Sequence, residues 1–129
     1  MGHPNEDLVR KASDAWIAND LDTFLSYHHD DVVVHTPRGE TLRGHDEIRQ
    51  NFQQMDSMLD GPSELTIHDI LANDEHGIVL AKQTVTKDGK SFAMDQVVVI
   101  HIQDGKAKEV WVHLTDPQAA AQFLGMPPG

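Results

Sequence analysis

The side chains best suited to chemistry in this 129-residue chain gather toward its C-terminal end. His113 ends the run Val110-Trp111-Val112-His113. An imidazole, with a reference pKa of about 6.5, takes and returns a proton close to neutrality. His113 is therefore the first candidate for a general base. Asp95 or Gln96 could orient it, and His35, at the end of Val32-Val33-Val34-His35, could serve as an auxiliary donor. Asp116 is a further acid, although Asp116-Pro117 also reads as a helix cap followed by proline at the first helical position. Each has a plainer alternative: a half-buried histidine bonded to Gln96, and a polar residue that merely ends a strand.

These groups must be positioned by a hairpin. Asp104-Gly105 is a strong two-residue turn signal, because tight turns of this twist want positive φ. Counting outward pairs Gln103 with Lys106, Val98 with Trp111 and Gln96 with His113. One face then carries Met94, Gln96, Val98, Trp111 and His113, a pocket-like mixture. The other carries Asp95, Val97, Val99, Val110, Val112 and Leu114. A bulge would exchange faces, so whether Asp95 or Gln96 reaches the pocket stays open. A sheet apolar on both sides must cover both. The valine face, Val97, Val99, Val110 and Val112, is accordingly expected to meet a second copy in a homodimer, or else to be core in a differently wrapped monomer.

Helical spacing of Leu8, Ala12, Ala15 and Trp16 predicts a first helix from about Glu6 to Asn19. Leu21, Phe24 and Leu25 predict a short second one ending near His28. A β-branched strand ends at Pro37-Arg38-Gly39, and Ile48, Phe52, Met55 and Leu59 mark a third helix stopped by Asp60-Gly61-Pro62. Strands follow at about 65–71, 78–86, 92–102 and 107–115, then a short final helix. Pro127-Pro128-Gly129 is expected to fray. The order predicts a single α+β domain over 1–129, ordered from about 5 to 125. Its curved, cone-shaped antiparallel or mixed sheet is wrapped by three N-terminal helices, with a short helix at the C-terminus. Trp16, Tyr27, Phe52, Met55, Met94, Val98 and Trp111 would line the cavity, or else simply fill a core.

Composition narrows the partners. The 10 basic residues against 21 acidic ones give a net charge of -11, which repels phosphate backbones and argues against nucleic acid or anionic membranes. No apolar run approaches the roughly 20 residues of a membrane span. No signal-like N-terminus is seen, so a cytoplasmic location is expected. With no cysteine, thiolate chemistry is excluded. His28-His29-Asp30 is the densest run of metal-ligand types, but adjacent side chains diverge and no ligand spacing follows, so no metal is expected. The absence of a glycine-rich phosphate loop leaves no expected cofactor.

Several stretches together resemble the nuclear transport factor 2-like superfamily and, within it, the polyketide-cyclase-like (SnoaL-like) group. They are Asn19-Asp20-Leu21-Asp22, Asp30 through Gly39, Gly44-His45-Asp46-Glu47-Ile48, and Asp104-Gly105-Lys106 through Glu109-Val110-Trp111. The resemblance covers roughly residues 5 to 125 and implies the fold. Its ketosteroid isomerase branch has a base carboxylate where this chain has Thr36 and a tyrosine where it has Ala12. Its limonene-epoxide-hydrolase branch has an Arg-x-Asp where Ile78-Val79-Leu80 stands, and a second Asp where His113 stands. What remains is the cyclase and dehydratase chemistry, in which a pocket histidine moves a proton on a carbonyl-stabilised carbanion. The expectation is a cofactor-independent acid-base enzyme acting on a small, mostly apolar carbonyl or hydroxylated compound. The alternative is a non-catalytic ligand-binding or assembly domain.

Overall fold

The computed structural model describes residues 3–61 and 63–125. The proline-rich end at 127–129 lies outside them. Helix α1 spans Pro4–Ile17 and α2 spans Leu21–Ser26, followed by strand β1 (His28–His35), the short β2 (Thr41–Arg43) and α3 (Gly44–Met58). Strands β3 (Glu64–Ala72), β4 (His76–Lys87), β5 (Lys90–Gln103) and β6 (Lys106–Leu114) precede α4 (Pro117–Leu124). Local chemistry explains the breaks. Asp20 caps α2 by accepting from the Thr23 amide at 3.2 Å, and Asp116 caps α4 by accepting from the Ala119 amide at 3.0 Å. Asp60 accepts from the amides of Asp88 and Gly89, tying the end of α3 to the β4–β5 turn.

The strands form one six-stranded sheet in the order β2-β1-β6-β5-β4-β3. Every neighbouring pair is antiparallel except β1 with β6, which is parallel. The α+β class and the helices are as the sequence predicts. The cone is not: the sheet is open, with β2 and β3 as its unpaired edges, and it does not close on itself. The cavity below owes its enclosure to helices laid over one face of an open sheet.

The hairpin register is the second correction. Asp104 and Gly105 both have positive φ, and Gln103 pairs with Lys106 and Ile102 with Ala107, as the turn signal requires. The next pair is His101 with Glu109, so Lys108 is an extra residue on β6. That bulge reverses the facing of everything beyond it. Gln96 meets Leu114 rather than His113, and Val98 meets Val112 rather than Trp111. Consequently Val110 and Val112 turn toward the helices, whereas Trp111 and His113 join Val97 and Val99 on the opposite face.

The core lies between the sheet and the helices. Val9, Leu25, Val32, Ile48, Val98 and Val110 form one cluster, and Val85, Met94, Ala120 and Leu124 form a second under α4.

Candidate functional site

A cavity of about 290 Å³ lies between the inner sheet face and α1, α3 and α4. This is at the lower end of the roughly 300–1,000 Å³ usual for small-molecule sites. Its walls are mostly aliphatic and aromatic. Trp16, Phe24 and Phe52 pack edge-on or tilted with ring centroids 5.8–5.9 Å apart, and Met55, Met94 and Val98 continue the lining. Of the seven pocket residues expected from the sequence, Trp16, Tyr27, Phe52, Met55, Met94 and Val98 are in the wall, and Trp111 is not.

Among the five candidates for catalysis, only Gln96 lines the cavity. It is 3% exposed, and its Nε2 has no hydrogen-bond partner among the described residues. Alternation on β5 settles the question between it and Asp95, which is exposed on the other face. His113 is exposed there too, opposite Val97. His35 also faces away from the cavity: it stacks on Trp111 at 5.6 Å, and its Nε2 lies 2.6 Å from Glu109 Oε2. Asp116 is occupied as the α4 cap. The dyad of His113 with Gln96 is therefore not assembled, and Lys108 is the physical reason.

Two polar groups missed by the sequence reading enter the site instead. Arg38 sits in the turn after β1, where the Gly39 amide donates to the Thr36 carbonyl at 3.0 Å. Its Nη1 donates to Glu40 at 2.8 Å, while its Nε is buried in the cavity wall without a partner. Both Arg38 Nε and Gln96 Nε2 can only donate. They occupy the same end of the sheet. His35 pairs with Trp111 on the parallel β6, Arg38 lies in the turn that follows His35, and Leu114, the partner of Gln96, lies three residues beyond Trp111.

The other end holds His28, 6% exposed and part of the same wall. Its Nδ1 is 2.9 Å from the Phe24 carbonyl oxygen. A carbonyl only accepts, so Nδ1 carries the hydrogen and Nε2 is a bare acceptor. Burial lowers the His28 pKa to about 4; the Phe24 carbonyl opposes that shift and His45 adds slightly to it. The ring is neutral at pH 7. The sequence signal was available only in part: a histidine four residues after Phe24, just past a short helix, can reach the last-turn carbonyls. Arg38 gave no such signal, since Pro37-Arg38-Gly39 reads simply as a turn.

The remaining ionisable groups in the wall, among the described residues, are Tyr27, Glu40 and Asp56. No three histidines or carboxylates converge on a metal position among the described residues. No helix is long and apolar enough to cross a membrane.

Residues 9–110 match the SnoaL-like domain family. The chain belongs to that family, within the nuclear transport factor 2-like superfamily. Among curated proteins nothing matches. Among solved structures it is similar to TerC co-crystallised with polyporic acid, at 22% identity, TM-score 0.86, covering 95% of this chain and 99% of that one. Bal32a, from a soil-derived mobile gene cassette, is 20% identical with a TM-score of 0.85 over 93% and 95%. IdmH from Streptomyces antibioticus, a proposed polyketide cyclase, is 18% identical with a TM-score of 0.77 over 94% and 99%. At these identities the likeness is one of fold.

Proposed function

We propose that the chain is a cofactor-independent acid-base enzyme for a small, mostly apolar carbonyl compound, with the carbonyl oxygen held by Gln96 Nε2 and Arg38 Nε. The observation that carries this reading is the pair of buried donors without partners in an otherwise apolar wall. Leaving such a donor unpaired costs about 1–3 kcal/mol, so the site favours an acceptor oxygen strongly. An oxygen that accepts from both donors is stabilised as negative charge develops on it when a neighbouring C–H loses its proton. We assign that proton to Asp56, the carboxylate of the cavity wall that, unlike Glu40, has no salt bridge among the described residues. The C–H electron pair moves to the carbonyl oxygen as an enolate, and the proton returns to carbon at the end of the cycle. Relatives named in connection with polyporic acid and polyketide cyclisation are in keeping with this substrate class.

Deuterium exchange at the α-carbon of 2-tetralone in D2O, followed by NMR, tests the proposal. The wild type should accelerate exchange, Asp56→Asn should abolish the acceleration, and Gln96→Leu should weaken it by about 10²-fold or more. A wild type no faster than buffer that still binds 2-naphthol through Gln96 would favour the second reading, a binding domain without turnover. That reading has its own support: both cavity carboxylates are exposed, and the one buried ionisable ring, His28, is held neutral.

The outer sheet face is proposed to meet a second copy. Leu71, Ile78, Val99, Trp111 and His35 form one continuous row across five strands, and Leu80, Val97 and His113 form the next. Leu71 is 48% exposed and Ile78 36%. Five strands by five residues give a footprint on the order of 400 Å² in projection. Side-chain relief brings it toward the roughly 800 Å² per partner of a standard interface. Val97 and Val99 remain in this surface, whereas Val110 and Val112 belong to the cavity side.

A further inference from the structure

The cavity has a polar group at each end, and its far end contributes nothing to holding the carbonyl. His28 pairs with Ala107, which pairs with Ile102, and Gln96 lies six residues further along β5. At roughly 3.3 Å per residue, the two ends are about 20 Å apart at the backbone. Side chains reaching inward shorten that to the length of a molecule of about two linked rings. Between them the wall is Phe24, Phe52, Val98 and Val110. His28 Nε2 makes no hydrogen bond among the described residues, while the Phe24 carbonyl fixes the tautomer that leaves it an acceptor.

The geometry points to a second subsite at His28, which accepts a hydrogen bond from a hydroxyl group at the far end of the ligand. The ligand is then an elongated aromatic or alicyclic molecule with an acceptor oxygen at the Gln96 and Arg38 end and a hydroxyl donor at the other. This deepens the proposed function and rests on its placement of the carbonyl. The role of His28 is recognition. A ring kept neutral by burial accepts a hydrogen bond at every pH where the protein works, and it stands at the end of the cavity away from the carbonyl.

The test compares 4-acetylbiphenyl with 4-acetyl-4′-hydroxybiphenyl, binding being read from the fluorescence of Trp16 in the cavity wall. In the wild type the hydroxyl should raise affinity about tenfold, as one well-placed hydrogen bond does. His28→Phe, which keeps a ring and removes the acceptor, should bind the two probes with equal affinity. His28→Gln restores an acceptor and should recover part of it, which covers the case in which the phenylalanine variant fails to fold. The 15N resonance of His28 Nε2 should move with the hydroxylated probe and not with the other. Equal affinity for the two probes in the wild type, with both weakened in Gln96→Leu, would overturn the subsite and leave the carbonyl site standing. Binding of both probes that ignores Gln96→Leu would overturn the carbonyl site itself.

Discussion

Lowering the pH should destabilise this protein through His28. In the folded chain the ring stays neutral down to about pH 4, whereas in the unfolded chain it takes a proton near 6.5. Above pH 6.5 neither state is protonated and the site has no effect. Between 6.5 and about 4 only the unfolded state holds the proton, so stability falls as pH falls, and below 4 the loss is complete. At roughly 1.4 kcal/mol for each tenfold in proton activity, the interval amounts to about 3 kcal/mol. That is a large share of the 5–15 kcal/mol that typically holds a domain together. Because many carboxylates also titrate in this range, the measurement is a difference. Urea denaturation of the wild type and of His28→Gln at pH 7.5, 6.5, 5.5 and 4.5 isolates the site. The stability difference, wild type minus variant, should shrink by about 2–3 kcal/mol between pH 7.5 and 4.5, following the window derived above. A difference that stays constant across the series, or an imidazole titrating near 6.5 by NMR, would refute the reasoning.

Gly77 should tolerate no side chain, because a Cβ there would lie 2.8 Å from Cγ2 of the buried Val9. Gly77→Ala is expected to lower the urea midpoint by about 1–3 kcal/mol of stability, and Val9→Ala in the same chain should recover part of the alanine's penalty. At the outer face, Val99→Lys puts a charge in the middle of the apolar row. Sedimentation equilibrium should show a dimer for the wild type and a monomer for the variant, with the helical and strand signals unchanged. A monomeric wild type at micromolar concentration would remove that surface from the account.

Local signals carried the secondary structure well, and non-local ones decided the site. The stripe on α1, the row Ile48, Phe52, Met55 on α3 and the two Asp-Gly turns each depend on residues a few positions apart, so their meaning is visible in the chain. The α1 stripe faces the core as expected, with Ala15 buried and Leu8, Ala12 and Trp16 in the cavity wall, and it is wider than the spacing suggests, since Val9 and Ser13 are buried beside them. β2 was missed because three residues, Thr41-Leu42-Arg43, carry no periodicity of their own and are strand only by pairing with β1. Of the seven expected pocket residues, the six in the cavity wall all precede the bulge in the chain, and Trp111 follows it. His28 and Arg38 were hidden for another reason. Their roles come from burial against elements distant in sequence, and neither a histidine beside a histidine nor an arginine in a turn announces that.

One residue therefore decides what kind of site this is. Without the extra position at Lys108, Trp111 and His113 would point into the cavity and bring an imidazole beside Gln96. With it, that wall is Val110, Val112 and Leu114. Nothing in Lys108 itself asks for a bulge, and the neighbouring strand β1 breaks register at the same level. The parallel pairing of β1 with β6 is irregular between His28 with Ala107 and Val33 with Glu109, and Lys108 Nζ reaches Asp31 at 2.7 Å across that same gap. Exposed as it is, this ion pair contributes little to stability. It sits where both strands change step, and the slip on β6 is what aligns Glu109 and Trp111 with His35. The histidines that look catalytic in the sequence are thereby committed to the outer face of the sheet, and the polar groups left in the cavity wall beside Gln96 are the Arg38 guanidinium and the exposed carboxylates of Glu40 and Asp56.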